Sequence, residues 1–180
     1  MSRRKVPRPA RLLISVVYRE EKDYERSLTG IASRLGDVAR TSAPFPFDRT
    51  DYYEKEMGTP LFRRFVLTRE AVSRDELASA KLAAEAIENE CSVHGKRTVN
   101  IDPGLLADEN FILATGKNYS HRVYLQDGVF ADLTLVYERG EYRPLPWTYP
   151  DFASPEIRAF LTGLRNEIRE SRKPAREGDS

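Results

Sequence analysis

A strictly alternating segment between two turn dipeptides is the feature that most constrains the fold. Asp127-Gly128 precedes this segment and Arg139-Gly140 follows it, and both dipeptides favour tight hairpin turns. Between them, apolar side chains take every second position, the period of a strand with one buried face: Val129, Ala131, Leu133, Leu135 and Tyr137. The pattern predicts an antiparallel β-meander with strands at 111–115, 121–125, 129–137 and 142–145.

The first hundred residues predict strands and helices in alternation. The β-branched run at 12–18 is typical of a strand covered on both faces. Helical spacing follows at 24–35 and again at 77–91, where Ser73 and Glu76 form a capping box and the helix is expected to end near His94-Gly95. Further strands are predicted at 38–45, 61–68 and 97–101, the last running into a turn at Asp102-Pro103-Gly104. The resulting order βαββαβ predicts a ferredoxin-like first part.

The chain length and the residues that begin its last helix predict one continuous α+β domain. A chain of 180 residues is long enough to bury one sizeable core and short for two. Ser154-Pro155-Glu156 begins a helix that closes the fold after the meander. We expect the domain to span 10–170, with a basic tail at 1–9 and a polar tail at 171–180.

Charge and cysteine content restrict the partners and the compartment. Lys and Arg number 29 against 28 Asp and Glu, so there is no global field to attract nucleic acid, which is not an expected partner. A single cysteine, Cys91, excludes an intramolecular disulfide and is expected to be a buried structural thiol. No apolar run approaches the roughly 20 residues that span a bilayer. We expect a soluble, cytoplasmic protein without a membrane partner.

Common catalytic motifs are absent from the sequence. It has no G-x-S-x-G, H-E-x-x-H, C-x-x-C or Rossmann glycine pattern. Gly116-Lys117 is similar to the end of a phosphate-binding loop, but Phe111 stands where that loop needs a glycine and Asn118 where it needs a hydroxyl. No cofactor is predicted and no metal site is assigned.

The unusual polar residues concentrate between Asn100 and Asp132. Asn100 and Asp102 alternate along a strand and are expected on one face, where they form part of a site or, alternatively, bond the backbone of the following turn. His121 suits an acid or base, since histidine titrates near neutrality. Lys117 suits an anionic group such as phosphate or carboxylate.

Two further interpretations concern the strand that follows His121. Arg122 is a second candidate for binding an anion, but across the hairpin it is expected to face Asp132, which makes an Arg–Asp ion pair the alternative for both residues. Tyr124 lies on the same strand and is included among the candidate ligand-binding residues.

A second candidate group lies in the aromatic and acidic connection at 45–58. Four carboxylates lie there among Tyr52, Tyr53 and other aromatic residues: Asp48, Asp51, Glu54 and Glu56. They could supply oxygen ligands for Mg²⁺ or form a lid over a pocket, or they could be solvated loop residues around rings that anchor the connection. Trp147, at 146–151, belongs either to a recognition surface or to a rigid connection packed by aromatic residues.

Several separated motifs carry a resemblance to a known family. They are Pro44-Phe-Pro-Phe-Asp48, Thr50-Asp-Tyr-Tyr53, Glu56-Met-Gly58, Asn100-Ile-Asp-Pro-Gly104, Leu113-Ala-Thr115, His121-Arg-Val-Tyr124 and Trp147-Thr-Tyr-Pro-Asp151. In this order they resemble the bacterial family called domain of unknown function 4416, over about residues 9–169. The resemblance implies a bacterial, cytoplasmic protein and contributes no mechanism.

Two functional hypotheses follow. In the first, a pocket binds a small anionic metabolite or nucleotide, with His121 as acid or base and Asp102 orienting it or holding a metal. In the second, the aromatic loops around Tyr52 and Trp147 form a protein-interaction surface without catalysis. The sequence predicts no oligomeric state.

Overall fold

The computed structural model describes residues 3–172. Regular structure begins at Ala10 and ends at Ser171. Of the two predicted tails, Met1, Ser2 and everything from Lys173 onward lie outside the described residues. None of the helices between residues 3 and 172 combines the length and the apolar character needed to cross a membrane.

The described chain contains strands, four α-helices and one short 3₁₀ turn. The strands are β1 (Ala10–Tyr18), β2 (Val38–Thr41), β3 (Phe45–Pro46), β4 (Phe62–Val72), β5 (Val99–Leu106), β6 (Asn110–Thr115), β7 (Arg122–Gln126), β8 (Val129–Glu138) and β9 (Glu141–Pro144). The helices are α1 (Glu21–Arg34), α2 (Glu54–Met57), α3 (Leu77–Cys91) and α4 (Pro155–Ser171). The predicted capping box of Ser73 and Glu76 is present on the 3₁₀ turn that leads into α3.

All strands belong to one nine-stranded antiparallel sheet. Its order is β2-β4-β1-β5-β6-β8-β7, with β3 paired to β4 and β9 to β8. The predicted α+β class, antiparallel series and C-terminal helix are confirmed. The strand order differs from that of the predicted β-meander, because the neighbour of β6 is β8 and not the next strand along the chain, β7. The ferredoxin-like description of the first part stays a prediction.

The sheet is buried on both faces, which explains the apolar run of β1. Ile14 and Val16 pack with residues of α1 and α3, including Ile31 and Ile87. Leu13 points to the opposite face, where α4 contributes Leu161, Leu164 and Ile168. A strand covered by helices on both sides has no solvent-facing positions for polar residues, so β1 is apolar from residue 12 to residue 18 except for the buried Ser15.

Both predicted hairpin turns are confirmed. Gln126 pairs with Val129 and Glu138 pairs with Glu141, so each loop has two residues. Asp127 and Gly128 have φ of 52° and 78°, and Arg139 and Gly140 have φ of 53° and 89°. Two successive positive φ angles define the type I′ turn, whose twist matches that of the flanking strands.

Three predicted boundaries are wrong. The strand at 38–45 is two short strands, because Pro44 lacks the N–H that would continue the ladder and Ser42 bonds Phe65 through its side chain. Helix α3 ends at Cys91, since Ser92 is already extended with ψ of 144°. His94 therefore lies in a turn with a φ of 52°, beyond the helix.

The third error is the turn at Asp102-Pro103-Gly104, which is part of strand β5. These residues pair with Ser15, Ile14 and Leu13 of β1. The N–H of Ile101 points away from β1, towards Glu88 of α3. Pro103 lies two residues further on, so its missing N–H falls on that same side and the ladder to β1 is intact.

Strand β5 separates from β6 along half of its length. Within residues 3–172, the two strands pair only from Gly104 with Leu113 to Leu106 with Phe111. The strands come very close at the point where pairing begins: a Cβ on Gly104 would lie 2.7 Å from the Phe111 ring and 3.1 Å from the Ile112 carbonyl oxygen. Gly104 thus permits close pairing at one end, and beyond it the sheet opens.

We expect Gly104→Ala to lower the free energy of unfolding by about 1–3 kcal/mol, because the added methyl group overlaps the Phe111 ring and neighbouring backbone. Chemical denaturation measures this change. Gly163→Ala is the matched control: Gly163 lies in α4 with open space around it, so the same substitution should stabilise by about 0.5–1 kcal/mol. Equal effects at both positions would contradict the close approach of β5 and β6.

Candidate functional site

A cleft of about 750 Å³ occupies the opening between β5 and β6. Residues from both strands form its two banks, and side chains of α3 form its floor. The loop after β3 and the segment after β9 complete the wall. The cleft therefore collects residues that are far apart in sequence, including both stretches in which the sequence predicted a site.

Side chains of α3 occupy the place of a neighbouring strand along the open half of β5. Lys81 Nζ donates to the carbonyl oxygen of Ile101 at 3.1 Å, and the N–H of Ile101 donates to Glu88 Oε1 at 2.5 Å. Both charged side chains are buried. Buried backbone groups need partners, and here a cation and a carboxyl group supply them instead of strand β6.

Asn100 and Asp102 lie on one face of β5, as predicted. Asn100 Nδ2 donates to Asp102 Oδ2 at 2.7 Å, and Lys81 Nζ donates to Asp102 Oδ1 at 3.0 Å. The alternative role for the two residues required a turn, but they belong to a strand. Asp102 is thus held by Lys81 and Asn100. No hydrogen bond joins it to His121 in the described part of the chain, so its role in orienting His121 stays a prediction.

The protonation states on the floor follow from competing effects. Burial alone would raise the pKa of Asp102, but the Lys81 ammonium, the Asn100 amide and Arg63 outweigh it and hold that pKa below its ordinary value. Burial lowers the pKa of Lys81, yet Asp102 and Glu88 raise it above its ordinary value. Lys81 is therefore an ammonium ion paired with a carboxylate, not a free amine nucleophile.

The pKa of Glu88 shifts in the direction opposite to that of Asp102. Burial raises its pKa above the ordinary value, and the attraction of Lys81 and the hydrogen bond from the Ile101 N–H only partly compensate. Its neighbour Arg97 is already engaged by Glu56, whose two oxygens receive Arg97 Nε at 2.9 Å and Nη2 at 2.6 Å. Arg97 Nη1 also lies 3.7 Å from Glu88 Oε2, a longer contact than its bonds to Glu56.

The opposite bank is built around Asp132. Arg122 and Asp132 are paired across β7 and β8, and Arg122 Nε donates to Asp132 Oδ2 at 2.8 Å. This confirms the predicted ion pair. The other two nitrogens of Arg122 bond the Lys117 carbonyl oxygen at 3.0 Å and the Tyr149 hydroxyl at 2.8 Å. Arg122 thereby ties three segments of the bank together.

His121 lies between two aromatic rings at the side of the cleft. Its ring stacks on Trp147 at 5.1 Å and on Tyr119 at 6.1 Å between centroids. Its Nε2 is 3.4 Å from Asp132 Oδ2, beyond the usual N–H···O distance, and is buried without a hydrogen-bond partner among residues 3–172. The carboxylate in contact with the His121 ring is thus that of Asp132.

Lys117 and the tyrosines predicted in the loop after β3 meet at the mouth. Lys117 Nζ bonds the Tyr52 hydroxyl and lies 3.9 Å from the centre of the Tyr52 ring. Tyr52 contacts Tyr53 edge to face at 4.8 Å. Burial raises the pKa of Tyr53 well above its ordinary value, so its hydroxyl remains a hydrogen-bond donor.

Two predicted residues lie elsewhere. Of the described residues, Asp48 and Tyr124 are the predicted candidates that do not line the cleft. Tyr124 is exposed on the edge strand β7, with its ring against Phe130 at 5.3 Å. Asp48 is exposed in the loop after β3, because the apolar neighbour Phe47 takes the buried position.

Sequence reasoning missed six charged residues that line the cleft, namely Arg63, Lys81, Glu85, Glu88, Arg97 and Asp151. A signal existed for two of them: Lys81 and Glu88 fall in the buried stripe of α3, with Leu77, Ala84 and Cys91 at spacings of three and four. Charged residues on a core-facing stripe need partners in the interior. Arg63 pairs with Asp151, a contact that no local pattern predicts.

A model of the family described as Domain of unknown function (DUF4416) matches residues 8–168. The chain belongs to this family. The resemblance found from the separated motifs is confirmed, and it covers both banks and the floor of the cleft. Comparison with curated proteins gives no match, and comparison with solved structures gives none either. Within residues 3–172, no group of three or more His, Cys, Asp or Glu is placed to hold a metal ion.

The raised pKa of Glu88 predicts a pH-dependent loss of stability. The folded state keeps the proton above 4.5, the ordinary pKa, whereas the unfolded state releases it. The stabilisation is therefore complete below pH 4.5 and is lost as the pH rises through the folded-state pKa. Glu88→Gln should remove this fall, as measured by urea unfolding at a series of pH values.

Glu90→Gln removes an exposed carboxylate from the same helix and controls for the loss of one charge. If the wild type and Glu88→Gln depend on pH in the same way, the raised pKa of Glu88 is contradicted.

Proposed function

We propose that the protein binds a small anionic metabolite or nucleotide in the cleft between β5 and β6. The observation that carries the proposal is the convergence of Asn100 and Asp102 on one bank with Lys117 and His121 on the other. The volume of about 750 Å³ lies within the usual range for small-molecule sites. A buried opening with polar groups from both sides is suited to hold a compact ligand.

Charge supports an anionic ligand. Four cations of the cleft already have carboxyl partners: Arg63, Lys81, Arg97 and Arg122. Lys117 forms no ion pair within residues 3–172, and its ammonium contacts the Tyr52 hydroxyl and ring. An anion entering the mouth would meet Lys117 first. Arg122, whose nitrogens are occupied, instead positions Asp132 and Tyr149.

Aromatic side chains support a ligand with a flat part. Tyr52, Tyr119, Trp147 and Tyr149 all line the cleft, and Tyr52 is 56% exposed. Exposed rings at a mouth can stack on a planar group at little cost in conformational entropy. A nucleotide or an aromatic acid combines such a group with a negative charge.

We also propose that His121 transfers a proton to or from the bound molecule. Its Nε2 lies near Asp132 without a hydrogen bond, between the rings of Tyr119 and Trp147. A carboxylate beside one ring nitrogen can fix the orientation of an imidazole that acts as acid or base. Asp102 is the second candidate group, facing the ligand from the opposite bank.

The alternative function is a protein-interaction surface around Tyr52 and Trp147. Both rings line the cleft, and Trp147 is 39% exposed, with its indole N–H bonded to the Leu133 carbonyl oxygen. The same residues thus serve either hypothesis. We also propose a bacterial cytoplasmic setting, supported by the family resemblance and by the single buried thiol of Cys91.

A thermal-shift screen tests the ligand-binding function. The purified protein is screened against nucleotides, phosphorylated and carboxylated metabolites and divalent metals. A ligand at 100 times its dissociation constant adds about 2.7 kcal/mol, which raises the melting temperature by several degrees. His121→Ala and Asp102→Asn should reduce the shift.

The matched controls are His94→Ala and Asp127→Asn, which change the same residue types in turns outside the cleft. Both should retain the shift of the wild type. A screen in which no compound shifts the wild type would contradict ligand binding and favour the interaction surface.

A further inference from the structure

We propose that Arg63 is the receptor for an oxyanion, a carboxylate or a phosphate, in the interior of the cleft. The inference deepens the proposed function and rests on it, since it assigns the anionic end of the ligand within the same cleft. Lys117 at the mouth then attracts the anion, and Arg63 holds it.

The fold places Arg63 firmly inside. It lies on β4, paired with Val17 of the central strand β1, and only 5% of it is exposed. Its guanidinium carbon is 4.9 Å from the centre of the Phe47 ring and 4.4 Å from that of Phe152. Two rings fix the plane of the guanidinium, so its N–H donors point in set directions.

One N–H group of Arg63 has no acceptor within residues 3–172. Nη1 forms an ion pair with Asp151, which is also buried. Nε is buried and has no hydrogen-bond partner among residues 3–172. A buried charged donor without an acceptor is costly, and Arg63 lines the cleft, where a ligand can supply the acceptor.

The chemistry of the guanidinium specifies the acceptor. Its planar fork matches the two oxygens of a carboxylate or phosphate, and hydrogen bonds between charged partners are the strongest of their kind. Asp151 already neutralises the charge of Arg63, so an oxyanion here is bound by directed hydrogen bonds more than by net charge.

A row of aromatic rings connects Arg63 to the mouth. Phe47 contacts Tyr53 at 5.8 Å, and Tyr53 contacts Tyr52 at 4.8 Å between ring centroids. Arg63 lies over the Phe47 end of this row and Lys117 over the Tyr52 end. The row gives a flat ligand an aromatic wall along its path, with a cation at each end.

The experiment measures binding of defined probes by isothermal titration calorimetry. The probes are benzoate, phenyl phosphate, inorganic phosphate and, as a neutral analogue, benzamide. We expect the wild type to bind at least one oxyanion and not benzamide. Benzoate and the two phosphates distinguish a carboxylate from a phosphate receptor.

Two variants of the Arg63–Asp151 pair make opposite predictions. Arg63→Lys keeps the positive charge but loses the fork, and should weaken oxyanion binding by about tenfold, the loss expected for a charge-assisted hydrogen bond. Asp151→Asn preserves the shape and the acceptor for the Phe152 N–H, and releases Arg63 from its ion pair. It should tighten oxyanion binding, which a purely structural role of the pair would not do.

Arg64→Lys is the matched control, because Arg64 is adjacent on β4 but contacts Tyr18 and Tyr24 on the opposite face. It should bind as the wild type does. Equal affinity in Arg63→Lys and wild type, weaker binding by Asp151→Asn, or no binding of any oxyanion would overturn the assignment of Arg63. If the metabolite screen still yields a ligand in any of these cases, the proposed function survives without it.

Discussion

The structure depends on how the backbone of Ile101 is satisfied where β5 leaves β6. Lys81 and Glu88 take its carbonyl oxygen and its N–H from the side of α3. Without these two side chains, a buried strand edge would be unpaired, which costs free energy comparable to lost hydrogen bonds. The sheet can therefore open in its middle and still satisfy its main chain, and the opening becomes the cleft.

The buried ion pairs around the opening contribute little to the stability of the fold. Buried ion pairs such as Lys81–Asp102 and Arg63–Asp151 add little to stability, because removing charges from water offsets most of their attraction. Apolar residues of similar volume in place of Arg63 and Asp151 would hold two layers together at least as well. On the proposed function, the charges serve recognition: they place fixed donors and acceptors around a space that a polar ligand can fill.

The sequence predicted what depends on local patterns. Alternation around Leu133 and the Asp127-Gly128 dipeptide predicted strand β8 and its hairpin, and the cross-strand register predicted the Arg122–Asp132 pair. The predicted single buried face of β8 is wrong, because the register shifts opposite Phe111 and Ile112. Val129 therefore packs in the core on one face of the sheet and Leu135 in the core on the other. The turn predicted at Asp102-Pro103-Gly104 is wrong, because Pro and Gly usually mark turns but these residues lie in strand β5. Pro103 lies where its missing N–H is not needed for pairing with β1, and Gly104 allows the close approach of Phe111. Arg63 was missed since its partner Asp151 is distant in sequence, and only the fold brings them together.

The most direct test of a ligand site between β5 and β6 is a map of the perturbed backbone amides. It is obtained from ¹⁵N–¹H spectra recorded while the strongest ligand of the metabolite screen is added. The account predicts that shifts concentrate on both banks, at 99–102 and 114–122, and on the facing turn of α3 around Glu88. Shifts confined to the exposed edge strand β7, around Tyr124, with the two banks unchanged, would contradict it.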